Sequence, residues 1–255
     1  MKKILSLTVL ILSIYFTVNA QVKDEPVRTI FASGGNYGAP FIKYVIALTK
    51  KNNPRICFMP SATGDSPASI LTWYKNCEGL PMQPFVQNVF VASARDKVTF
   101  EQNLLSMDAI IVGGGNTMNM IAIWKVQGID TVLRKAYNKG IILGGGSAGS
   151  ICWFQGGTTD SRPAVLSVCE GLGFIPTSQS PHWLHEPLRR PLYREAILSG
   201  KLKPGYACDD ASAILFQNEK YVKSVAVDTL NKTWFVSVEK GKIVEKLLPV
   251  TEIIK

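Results

Sequence analysis

The stretch GIILGGGSAGS, residues 140–150, sets an apolar run against a cluster of glycines holding one central hydroxyl, Ser147. A short unbroken run such as Ile141-Ile142-Leu143 suits a strand buried on both faces. The glycines suit a sharp turn, and SAGSICWF (147–154) then begins a segment with helical period. Gly145-Gly146-Ser147-Ala148-Gly149 fits G-x-S-x-G in the strand–turn–helix context of a nucleophile elbow. Two readings fit this stretch. Small residues let a helix pack close to a sheet, or a strained turn presents Ser147 at a helix N-terminus whose amides favour developing negative charge.

Outward from that strand the same rhythm repeats. Apolar strand-like runs lie at 28–35, 55–62, 85–93 and 109–115, with helical segments at 39–51, 66–77, 98–107, 116–128 and 129–140 between them. Gly140 is placed as a helix C-terminal cap. Continuously apolar strands separated by amphipathic helices predict an α/β fold, a single doubly wound, mostly parallel sheet flanked by helices. After Phe154 the pattern changes. A short strand is read at 171–176, and runs at 206–216, 220–228, 233–241 and 242–250 read as antiparallel strands joined by tight turns. These are expected to extend the C-terminal edge of the same sheet. No repeat, low-complexity stretch or linker divides the chain, so residues 21–255 are read as one domain.

Residues 1–20, MKKILSLTVLILSIYFTVNA, carry a positive start at Lys2 and Lys3, an apolar stretch from Ile4 to Val18, and small residues before Gln21. This is the pattern of a secretory signal peptide cleaved before Gln21. The expected product is exported, periplasmic or extracellular, with no stable membrane anchor. The whole chain has a formal charge of +9, and removal of Lys2 and Lys3 lowers it to +7. The basic residues are scattered and lack interleaved aromatic platforms, so no nucleic-acid partner is expected. A basic balance does attract acidic substrates. Five cysteines occur without a CxxC or a Cys/His cluster, so neither metal nor cofactor is expected. Cys57 and Cys152 sit in apolar runs and read as packed thiols, and at most two disulfides can form. The oligomeric state is left open.

In open α/β sheets, ligands bind beyond the carboxyl ends of the strands. Three glycine-rich ends point there: SGGN (33–36), GGGN (113–116) and GGGSAG (144–149). Backbone N–H groups at 113–117 suit an oxyanion hole, with the amide of Ala148 as second donor. A phosphate site is the rival, but neither GxxxxGK[ST] nor a dinucleotide fingerprint is present. A serine nucleophile needs a base. Beyond the signal segment only His182 and His185 are available, and His182 in SPHW is preferred, with His185 read as solvated. The orienting carboxylate is open among Asp160, Glu195, Asp209 and Asp210.

Taken together, VGGGNT, then GGSAGS, then TTDS, then a strand and SPHW, resemble the peptidase E/cyanophycinase family of serine peptidases. The resemblance runs from about Thr29 to Phe216 and is most specific from Ile110 to His182. It implies a class I glutamine-amidotransferase-like fold. It also implies Ser147 as nucleophile, His182 as general base, and the amides of Gly115 and Ala148 as oxyanion hole. Asn116 matches the Asn after the glycines and is expected at the substrate. The third member is matched by Asp160, with a one-residue shift, or by Asp210. Peptidase E-like enzymes remove an N-terminal Asp through an Arg downstream of the His. Arg194 is the nearest match here, with Arg189 and Arg190 beside it. A guanidinium fork suits a carboxylate.

The expectation is therefore a serine-type exopeptidase acting on short acidic peptides (Asp-Xaa). The alternatives are a cyanophycinase-like isopeptidase acting on β-linked Asp peptides and a non-catalytic binding protein on the same fold. An α/β-hydrolase esterase would need its acid before its histidine, and about 35 residues separate Ser147 from His182, too few for that order. A glutamine amidotransferase would need Cys at position 147.

Overall fold

A computed structural model describes residues 25–35, 37–90 and 97–255. The expected signal peptide, residues 1–20, lies outside the described residues. The first half alternates strands and helices: β1 (Thr29–Ser33), α1 (Ala39–Thr49), β2 (Arg55–Met59), α2 (Pro67–Cys77), β3 (Gln83–Val86), α3 (Phe100–Leu104), β4 (Ala109–Val112), α4 (Thr117–Gln127), α5 (Ile129–Asn138), β5 (Ile142–Gly146) and α6 (Ala148–Ile151). The second half is mainly strands: β6 (Phe154–Arg162), β7 (Val165–Glu170), β8 (Ile175–Ser180), the helix α7 (Arg189–Leu198), then β9 (Gly205–Cys208), β10 (Ser212–Gln217), β11 (Lys220–Ala226), β12 (Thr233–Glu239), β13 (Lys242–Leu248) and β14 (Val250–Ile253).

The first sheet has the order β14-β11-β10-β1-β5-β4-β2-β3. Its β1, β5, β4, β2 and β3 run parallel to one another. Successive residues of these strands serve opposite faces, as the two-residue pleat requires. Ile30, Cys57, Ile110 and Leu143 pack with Trp124, Leu133 and Tyr137 from α4 and α5. Phe31, Ile56, Ile111 and Ile142 pack with Phe41, Val45 and Trp73 from α1 and α2. Both faces are covered, which is why the strands read as unbroken apolar runs.

The expectation of a single sheet is corrected. A second, six-stranded mixed sheet has the order β13-β12-β9-β8-β6-β7. β10, β11 and β14 do extend the first sheet beyond β1, whereas β9, β12 and β13 belong to the second. The run 206–216, read as one strand, is broken at Asp209-Asp210-Ala211, and the chain changes sheets there. Asp and turn geometry go together because a short carboxylate bonds nearby backbone amides. Here the Asp209 carboxylate accepts from the N–H of Leu184 at 3.1 Å and of Lys232 at 2.9 Å, and the Asp209 carbonyl accepts from Ser212.

β6 escaped the sequence reading for a different reason. Its centre, Gly156-Gly157-Thr158-Thr159, has no apolar alternation, yet all four are buried. The threonines are satisfied internally: Thr158 pairs with the Ser180 hydroxyl at 2.8 Å, and Thr159 donates to Thr117 at 3.2 Å. A third cluster, with Trp183, Tyr193, Ile197 and Val236, fastens α7 to the second sheet.

The five cysteines are all free thiols, four of them buried. Burial pushes the thiols of Cys57 and Cys77 up to about 12 and that of Cys169 to about 11. Since the thiolate is the reactive form, native protein at pH 8 is expected to resist iodoacetamide. Unfolded protein should gain five adducts by intact mass, and fast native labelling or a missing adduct would contradict the packing described.

Candidate active site

Ser147 stands between β5 and α6 with φ 54° and ψ −120°. A non-glycine residue in that region is strained by about 1–3 kcal/mol, a cost that persists only where the surroundings impose it. Here they do. The Ser147 amide bonds the carbonyl of Ser33 at the end of β1, while its own carbonyl accepts from Ser150 and Ile151 to start α6. The flanking glycines are set by close approach. A Cβ on Gly149 would lie 2.1 Å from the carbonyl oxygen of Val112, so β4 and the turn could not both stay in place. The glycines therefore allow tight packing, and the same packing holds Ser147 in its unusual conformation. α6 itself is only one turn, Ala148–Ile151, so its dipole is small and local amides matter more than the macrodipole the sequence reading invoked.

The Ser147 hydroxyl lies 2.8 Å from His182 Nε2, and His182 Nδ1 lies 2.5 Å from Asp210 Oδ1. The carboxylate accepts from Nδ1–H, which leaves Nε2 as the acceptor for the serine proton. His182 also has a positive φ, 52°, and its amide bonds Gly34 at the end of β1. The next residue, Trp183, is 1% exposed and stacks edge-on against Tyr193, which anchors the histidine loop. Asp210 is held by the sheet-switching turn described above. Its backbone lies so close to Gly35 that a Cβ there would meet the Asp210 carbonyl at 2.7 Å. Gly34 and Gly35 therefore seat the acid-bearing loop. Burial pushes the Asp209 carboxyl up, partly offset by the Lys232 and Leu184 amides that bond it.

Ser147 and His182 open into a cleft of about 540 Å³, also lined by Tyr37, Phe58, Trp73 and Gly113 to Gly115. The N–H groups of Gly115 and Ala148 make no hydrogen bond to the described residues. Gly114 abuts the serine: a Cβ on it would lie 3.2 Å from Ser147 Cβ. Among the described residues no group of three or more His, Cys, Asp or Glu side chains converges as a metal site requires.

A nucleophile-elbow serine bonded through histidine to a carboxylate is the arrangement of a serine hydrolase. The profile of peptidase family S51 matches residues 29–224, most of the chain. The chain belongs to peptidase family S51. It is a serine peptidase of that family. The chain is 38% identical over 208 residues to the uncharacterized peptidase YgaJ of Bacillus subtilis (strain 168), covering 82% of this chain and 89% of that protein. Two solved structures share the fold. A peptidase from an acI-B1 Actinobacterium has a TM-score of 0.67 at 17% identity, covering 89% of this chain and 96% of its own. A candidate peptidase E protein from Listeria monocytogenes EGD-e has a TM-score of 0.58 at 17% identity, covering 79% of this chain and 100% of its own.

Within this S51 peptidase the other sequence candidates lie elsewhere. The Asp160 side chain is 66% exposed on β6, and its ion-pair partner is Arg189 at 3.6 Å rather than His182. Asn116 caps α4, accepting from the Asn119 amide at 2.9 Å and donating to the Ser161 carbonyl at 2.9 Å. Arg189 is buried, bonded to Glu186 at 2.7 Å and to the Thr158 carbonyl at 2.6 Å. Arg190 and Arg194 both pair with Glu245 of β13. None of these five residues lines the cleft. The expected arginine clamp is therefore not assembled there, because each guanidinium is engaged by the second sheet or the loop before α7. Glu195 lies on α7, and His185 is 75% exposed, 3.8 Å from the free oxygen of Asp210. The sequence reading missed the cleft wall on α2. Nothing in its residues signals a site, since Ser69, Thr72 and Asn76 look like an ordinary polar helix face.

Proposed function

We propose that this protein is a serine exopeptidase that hydrolyses short peptides by acyl transfer at Ser147. The observation that carries the reading is the unbroken hydrogen-bonded chain Ser147–His182–Asp210 on a strained elbow. His182 takes the Ser147 proton as the hydroxyl oxygen attacks the scissile carbonyl. The unpartnered amides of Gly115 and Ala148 are suited to receive the oxyanion. His182 then protonates the departing amine, and Asp210 holds the imidazolium. Water, deprotonated by His182, releases the acid and restores Ser147. No step calls for a metal or cofactor.

The family resemblance favours an acidic first residue, Asp-Xaa, with a β-linked Asp isopeptide as the alternative substrate. Export of the mature chain from Gln21 belongs to the same proposal and rests on the pattern of residues 1–20. The test is incubation of the mature protein with a fluorophosphonate probe and a panel of dipeptides. Labelling at Ser147 together with amine release supports an exopeptidase. Inertness to the probe and to every peptide points to a binding protein on a peptidase scaffold.

A further inference from the structure

Asp210 turns only one of its carboxylate oxygens to His182. Oδ1 accepts from the imidazole Nδ1–H at 2.5 Å, and Oδ2 makes no hydrogen bond to the described residues. The group that faces Oδ2 is the second histidine of the chain: His185 Nδ1 lies 3.8 Å from it. That distance is too long for a direct hydrogen bond and short enough for an ion pair once the ring carries a charge. The local chain builds this approach. The Glu186 amide bonds the His182 carbonyl at 3.0 Å, so residues 182–186 close a single turn, and its two imidazoles, three positions apart, reach the same carboxylate. The turn is pinned between them. The Trp183 amide bonds the Cys208 carbonyl at 3.1 Å, and the Leu184 amide bonds the Asp209 carboxylate at 3.1 Å. The segment with both histidines and the segment with the acid are thus fastened together directly beside Asp210.

The other charged groups near His185 are Asp160 and Arg162 of β6 and Glu186, which line the same hollow. Arg189 of α7 pairs with Asp160 at 3.6 Å and with Glu186 at 2.7 Å, and Asp209 is held by the amides of Leu184 and Lys232. Among the described residues Asp210 is the only ion-pair partner of His185. We propose that His185 is a positioning residue for the triad acid, a second imidazole on the carboxylate that serves His182. The proposal rests on acyl transfer at Ser147. Neutral, His185 leaves the charge of Asp210 to His182. Protonated, it pairs with Oδ2 and competes for that charge, so the two rings titrate as a coupled pair. A cation at His185 opposes a second proton nearby, which moves the acid limb of activity to lower pH. It also takes part of the charge that stabilises the imidazolium formed as Ser147 attacks, which lowers kcat.

Three forms of the mature protein separate these effects: wild type, His185→Gln, which is never charged, and His185→Lys, which stays charged. The side chain is 75% exposed, so both changes leave the packing alone. The acid limb of kcat/KM is expected at the lowest pH in His185→Lys and the highest in His185→Gln, with wild type between, over a span of about half a pH unit at low salt. At pH 8 His185→Gln should stay within about two-fold of wild type, while His185→Lys loses several-fold in kcat. The span should shrink in about 0.5 M salt, because the charges are exposed. Acid limbs that coincide, or an equal loss at every pH in His185→Gln, overturn the proposal. The chain has two histidines, so NMR of the untagged protein follows the His182 ring directly, without peptide turnover. The same order of His182 titration in protein that cleaves no peptide and takes up no fluorophosphonate sustains the shared carboxylate while the acyl-transfer reading fails. Coincident titrations in the three forms remove the proposal whatever the activity.

Discussion

Ser147→Ala is expected to lower peptide hydrolysis by a factor on the order of 10⁴–10⁶ and to abolish fluorophosphonate labelling, with the fold preserved. The loss is large because the mechanism passes through a bond to this oxygen. In the proposed mechanism the residual rate would come from the amides of Gly115 and Ala148 and from substrate positioning, which the change leaves in place. Stability should hardly move. Alanine keeps the Cβ and therefore carries the same strain at φ 54°, while one hydrogen bond, to His182 at 2.8 Å, is lost. Steady-state kinetics beside thermal unfolding separate the two effects. A variant that retains more than a few per cent of activity would move the nucleophile elsewhere and leave the glycine elbow as a packing device.

The second large effect distinguishes two carboxylates. Asp210→Asn should lower kcat on the order of 10⁴-fold, because an amide in place of the carboxylate favours the wrong histidine tautomer and cannot stabilise the imidazolium. Asp160→Asn should stay within a few-fold of wild type. Its side chain is 66% exposed and its ion pair with Arg189 is 3.6 Å long, so even the stability change should fall below about 1 kcal/mol. Both variants are to be compared by kcat/KM on the same peptide and by labelling rate. The reverse outcome, loss at Asp160 and tolerance at Asp210, would mean that the histidine loop reorganises when substrate binds.

The parts of this site that could be read from the chain are local. The elbow and the glycine run at 113–115 each sit at the end of a strand whose apolar pattern is visible within a few residues, whereas the SPHW histidine follows β8, whose sequence IPTSQS is largely polar. The carboxylate was not legible in this way. Asp160 lies in a stretch without apolar alternation and Asp210 inside a run read as one strand, and residue type alone cannot say which reaches a histidine. The partners of the arginines were not legible either, because a run such as Leu188-Arg189-Arg190 exposes its charges in sequence but not what pairs with them. Glu245, which engages two of them, lies 55 residues beyond Arg190.

Composition and periodicity alone were enough to specify an α/β fold with a buried parallel sheet and a serine held on a glycine turn. Those features follow from the two-residue pleat and from the few backbone conformations that only small residues allow. Tertiary structure decided what depends on distant segments. It divided the strands between two sheets at Asp209-Asp210 and brought Asp210, 28 residues along the chain, to His182. It drew the arginines into ion pairs away from the cleft, and turned the polar face of α2 into its wall. Each of these is set by which donor finds which acceptor once the core has closed, and that pairing is invisible until the chain has folded.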